Sequence, residues 1–126
     1  MSFVSKVLTV FLGDKEARDL KEINPFVGKI KSETALVTSL SNNALRDRTA
    51  ALKKEIRESV AAEEQEIRDL KVTAEKEEDI NRKEELYNQI DKIDKQILEK
   101  LEKKLDETLP VAFAIMKDTA RRFKEN

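Results

Sequence analysis

After Gly28 the chain meets no proline or glycine until Pro110, and two apolar stripes recur within that run. The first is Leu45, Leu52, Ile56, Val60, Ile67 and Leu70, and the second is Leu86, Ile90, Ile93, Ile97, Leu101, Leu105 and Leu109. Steps of three, four and seven put side chains on one face of an α-helix. A stripe this narrow must meet another to bury its seam. Around Lys76 to Asp79 the pattern lapses, and Asn81 followed three residues later by Glu84 predicts a capping box. The simplest solution is an antiparallel helical hairpin with arms roughly 40 to 50 Å long. Glu63 stands where the first seam expects an apolar residue, so looser packing is expected there.

The flanks are helical as well. Phe3, Val7, Val10 and Phe11 share one face of a short amino-terminal helix, which Gly13 ends and after which Asp14 caps the next. Leu20, Ile23, Val27 and Ile30 mark a second amphipathic helix, with a kink or restart expected near Asn24 because Pro25 lies inside it. The polar stretch from Ser32 to Asn43 reads as a connection ending in a helix cap at Ser41. Pro110 suits the first turn of a new helix that leads to Phe123. The fold class is all-α: an elongated hairpin over residues 41–108, preceded by amphipathic helices over 1–40 and followed by a carboxy-terminal helix over 109–126.

Composition explains the economy of this plan and removes whole classes of function. With 39% hydrophobic and 40% charged residues, apolar groups are confined to stripes. The 25 basic and 26 acidic residues are interspersed, leaving no one-signed field to hold nucleic acid. Cysteine and histidine are absent, which excludes disulfides, thiolate metal sites and most nucleophile–base pairs. The apolar run at the amino terminus is interrupted by Lys6, lacks a cleavage pattern and is too short to span a bilayer.

The candidate sites are therefore surfaces. Gly13 and Gly28 stand alone, so no phosphate-binding loop is present, and the Glu63, Glu64, Glu66 and Glu77, Glu78 groups read as solvated faces. Asp91 with Lys95 and Glu99 with Lys103 have the spacing of stabilising helix pairs. Arg121, Arg122 and Lys124 complement the dipole at a helix carboxyl end. Tyr87 reads as packing beside Leu86. The Phe3, Val7, Val10, Phe11 face is open to three readings: the protein's own core, a partner groove or a membrane interface. Together with Phe26, Phe113, Ile115, Met116 and Phe123 it gives more apolar surface than two helices cover, which predicts either self-association, as a homodimer joined near the chain ends, or ends that are only marginally ordered.

Three stretches carry a family resemblance. GDKEARDLKEINPFVGKI at Gly13 to Ile30, LSNNALRDRTAALKKEI at Leu40 to Ile56 and LPVAFAIMKDTARRF at Leu109 to Phe123 resemble, in order and spacing, the amino-terminal segment of the SecA family. Val111 stands where the family usually has Glu, Asn43 and Ala44 replace its acidic pair, and the charged hairpin between Ile56 and Leu109 exceeds its short link. The resemblance implies a scaffold and docking segment of an ATP-driven motor that exports preproteins through the SecYEG channel. It implies a sequence that stops before the adenine-recognising and Walker motifs, with no catalytic, cofactor or metal residue here and with ATP and magnesium belonging to the full-length parent. Its implied partners are the rest of the motor, the SecYEG channel and acidic phospholipid, at the inner face of the bacterial membrane. The alternatives are a stand-alone hairpin adaptor or a peripheral membrane-binding protein.

Overall fold

The structure, a computed structural model, describes residues 3–12 and 15–126, apart from the side chains of residues 9, 11 and 12. Five helices follow one another: α1 (Phe3–Leu12), α2 (Lys15–Thr38), α3 (Asn42–Glu58), α4 (Ala61–Lys76) and α5 (Ile80–Glu125). The turn and cap expected at Gly13 and Asp14 lie outside the described residues. At 46 residues, α5 is roughly 69 Å long. It is the spine on which α2, α3 and α4 pack.

The hairpin forms where the apolar pattern lapses, at Glu77 to Asp79. Its cap differs from the expected box at Asn81 and Glu84: the Asp79 carboxylate accepts from the amides of Asn81 at 2.9 Å and Arg82 at 3.4 Å, so α5 starts at Ile80. An acceptor at the true N-cap satisfies the orphan amides of the first turn, which leaves the later pair without that task. The Ser41 cap does form, its hydroxyl accepting from Ala44 N at 3.1 Å.

The first arm is interrupted after Glu58, although no proline or glycine lies there. The Ser59 hydroxyl donates to Ile56 O at 2.6 Å, and Val60 takes φ −123° and ψ 5°, outside the helix. Val60 is buried, and the helix resumes with Glu64 N donating to Val60 O. The break separates two cores. Val37, Leu45, Leu52, Ala114 and Ile115 form one where α2 and α3 meet the carboxyl half of α5. Ile67, Ile90 and Ile93, flanked by Leu70 and Ile97, form the other between α4 and α5.

Both prolines lie inside continuous helices, so no helix restarts near Asn24 and none begins at Pro110. Pro25 is exposed, so water can take the carbonyl its missing amide leaves unpaired. Pro110 is buried with Thr108, Ala114 and Ile115, and this packing offsets the lost bond. The expected connection over 32–43 is mostly helix. The hydroxyls of Ser32, Thr34 and Thr38 donate back to carbonyls four residues earlier, which spares the backbone ladder, and α2 runs on to Thr38.

The seam passes through buried Leu45, Leu52, Ile67, Ile90 and Ile93, and half-buried Ile56, Leu70, Leu86, Ile97 and Leu101. Leu105 departs from it at 51% exposure, on the outer side of α5. From Leu101 the inward positions three and seven residues on are Lys104 and buried Thr108, and these take the places facing α3 and α2.

Candidate docking site

The most elaborate polar arrangement joins the last turns of α5 to the corner between α2 and α3. Asp118 is 1% exposed. Its Oδ1 accepts from Arg121 Nε at 2.9 Å and its Oδ2 from Arg122 Nε at 2.7 Å. The Thr38 hydroxyl shares its proton between Asp118 Oδ1 at 3.2 Å and the Thr34 carbonyl. Arg122 also donates to Asn42 Oδ1 at 2.7 Å, Leu40 O at 2.6 Å and Val37 O at 3.3 Å. This guanidinium fork thus bonds Val37 O in the last turn of α2, which also accepts from Leu40 N, and Leu40 O in the connection that follows. Burial, the largest single influence, pushes the Asp118 carboxyl up, but the hydrogen bonds and charges of both arginines together outweigh it and hold the carboxyl below its ordinary value.

Arg122 and Lys124 stand in the last turn of α5, the position that complements its dipole, and Arg122 in addition ties the α2–α3 corner to that helix. Asp118, Thr38 and Asn42 were not singled out as functional residues from sequence. The available signal was Asp118 standing three and four residues before two arginines, a spacing that looks like ordinary surface pairing.

A second polar layer lies between the two cores. Lys104 pairs with Glu55 at 2.6 Å, and Lys100 pairs with Glu63. The hydrogen bond from Lys104 holds the Glu55 carboxyl below its usual range, and that from Lys100 does the same for Glu63. The Glu63 position is closed by an ion pair where loose packing was expected. Among the described residues no salt bridge joins Asp91 to Lys95 or Glu99 to Lys103.

Phe3, Val7 and Val10 are exposed on α1, which has no share in the main helix pairings, while the Phe11 side chain lies outside the described residues. Tyr87, expected to pack, is exposed. Of the surplus apolar groups Ile115 is buried, whereas Phe113, Met116 and Phe123 remain exposed. A recess of about 310 Å³ lies between α3 and α5, bordered by Leu45, Arg46, Thr49, Thr119 and Phe123. Among the described residues no acidic group is arranged to hold a metal ion, and no helix is long and apolar enough to cross a membrane.

No family model matches the chain, and no solved structure matches it. Among curated proteins it is similar to the protein translocase subunit SecA of Phocaeicola vulgatus, with 52% identity over 114 residues, or 90% of this chain and 10% of that protein. The SecA subunit of Porphyromonas gingivalis strain W83 is 49% identical over 94% of the chain and 11% of its own length. That of Flavobacterium psychrophilum is 42% identical over the whole chain and 11% of its own length. The match runs through the hairpin between Ile56 and Leu109, so the extended link is shared with these relatives. On this similarity the chain belongs to the SecA family, as a segment that spans about a tenth of the translocase subunits it matches.

Proposed function

We propose that this segment is a helical scaffold and docking element of a SecA-type motor that exports preproteins through the SecYEG channel, with no catalytic activity of its own. The observation that carries the reading is the match along 90–100% of the chain to only 10–11% of the relatives. In this reading ATP and magnesium are bound by the rest of the motor, and the protein works on the cytoplasmic side, peripheral to the membrane. The Asp118–Arg122 clasp keeps α2 on the spine, and α1 offers Phe3, Val7 and Val10 to the channel or to acidic phospholipid.

The test is a full-length translocase carrying Phe3→Ser, Val7→Ser and Val10→Ser, assayed for preprotein transport into vesicles containing the channel and for ATP hydrolysis in solution. The expected result is lost transport with basal hydrolysis retained. Undiminished transport would remove α1 from the docking role. The exposed α1 face also favours a second reading, a peripheral membrane-binding protein. Co-sedimentation of the 126-residue chain with anionic vesicles, abolished by the same substitutions, would support it.

A further inference from the structure

A channel runs along the outer side of the molecule, where α2 lies beside α5. The two helices run the same way there: Thr38 bonds Asp118, Gly28 and Pro110 border one recess, and Phe26 and Glu99 border the next. The recesses, of about 470 and about 450 Å³, share Lys29 and Glu107 and so join into one channel. Its floor is apolar, built from Pro25, Phe26 and Gly28 of α2 and from Pro110 and Val111 of α5. A Cβ at position 28 would meet no atom within 4 Å, so the glycine leaves the middle of the channel open. From Glu99 to Val111 the channel is roughly 18 Å long, the length of about three turns of helix.

The rim is acidic. Glu99, Glu102 and Asp106 stand three and four residues apart on one face of α5, and Glu33 and Glu107 complete it. Against these five carboxylates the channel holds two ammonium groups, Lys29 and Lys103, the first lying over the Phe26 ring at 5.8 Å. Among the described residues Glu33, Glu99, Glu102 and Asp106 make no salt bridge. The whole chain carries a formal charge of -1, so this field is local to the channel. Pro110 adds an acceptor of another kind: lacking an N–H, it leaves the Asp106 carbonyl without its helical donor. Unpaired acids above an apolar floor repel anionic lipid and nucleic acid, and they match an apolar helix that carries cations along its sides.

We propose that this channel docks a basic amphipathic helix of another polypeptide, about three turns long. Its apolar stripe lies on Phe26, Pro110 and Val111, and its Lys or Arg side chains reach Glu99, Glu102 and Asp106. Gly28 lets it approach the α2 backbone closely. Helix α1 does not answer this description, because Lys6 is its one charged side chain. The inference stands apart from the transport reading, since it rests on the channel alone.

The probe is a fluorescent amphipathic peptide of leucines and lysines, with a counterpart in which glutamate replaces every lysine. Anisotropy titrations against the 126-residue chain should show saturable one-to-one binding of the lysine peptide, weakened by salt, and no binding of the glutamate peptide. Glu99→Gln, Glu102→Gln and Asp106→Asn together should weaken binding on the order of 10-fold. Glu75→Gln, Glu78→Gln and Glu84→Gln remove the same charge around the hairpin turn and should change it by less than about twofold. Gly28→Leu keeps the charge and fills the channel. It should weaken binding at least as much as the rim substitutions without lowering the unfolding midpoint, because leucine favours helix and its Cβ meets no atom there. Equal losses from the rim and hairpin-turn substitutions would mean that the peptide follows net charge alone, and would overturn the proposal. Undiminished binding to the Gly28→Leu chain would overturn it too, as would no binding at all, whether the channel stays empty or is covered by α1 or by a second copy.

Discussion

Arg122 donates to the carbonyl of Leu40, 82 residues away, at 2.6 Å, so a side chain in the last helix pairs a backbone group of the connection between the second and third. The same guanidinium holds Asp118 and Asn42, which ties the α2–α3 corner to α5. Replacing Arg122 with Ala should cost about 2 to 3 kcal/mol, because its charge-assisted bonds are lost and the buried Asp118 carboxylate loses one of its two arginine partners. Arg122→Lys should recover only part of this, since an ammonium cannot reproduce the planar fork. Urea unfolding of the three proteins measures it, and an equal midpoint for all three would show that the clasp adds nothing.

Acid should loosen the same corner. The Asp118 carboxyl titrates below its ordinary value in the folded protein, so the folded form binds fewer protons than the unfolded one. The stability it contributes is complete above the unfolded value and is lost as pH falls through the folded one, with loss beginning below about pH 5. Comparing thermal midpoints of the parent and Asp118→Asn from neutral pH downward should show two curves that converge in acid.

The two cores should respond independently. Leu52→Ala opens the one beneath α2 and α3, and Ile90→Ala opens the one between α4 and α5. Each should cost about 2 to 4 kcal/mol. Separate sites without shared partners add, so the double variant should show the sum to within about 0.5 kcal/mol. A large departure in equilibrium unfolding would mean that the ion-pair layer couples the cores.

Pro25→Ala should stabilise the protein. The ring is exposed within a continuous helix, so nothing packed is lost and one backbone bond is restored. A gain of about 1 to 3 kcal/mol is expected from helix propensity. A lower unfolding midpoint would indicate that the proline shapes how α2 lies on α5.

Much of the architecture was legible in the chain. The seam from Leu45 to Leu101, the hairpin turn after Lys76 and the Ser41 cap all rest on periodicity or on hydrogen bonds spanning a few residues. The interruption at Ser59 and Val60 was not, because both residues are compatible with helix, and neither the Ser59 hydroxyl bond to Ile56 O nor the burial of Val60 that accompanies the break is marked by the apolar spacing. Asp118 looked like one of 26 acidic residues, since nothing local to it says that α2 and α3 will close over it.

By itself the sequence determined that this protein is helical, where its chain reverses and which faces are apolar, because propensity, spacing and capping act within a turn or two of helix. The tertiary structure alone decided that α5 continues through Pro110, that Lys104 and Thr108 replace Leu105 on the inner side, and that Arg122 binds the α2–α3 corner. Each of these depends on groups far apart in the chain. The free energy that settles them is released when those groups meet, and a local pattern carries no record of that meeting.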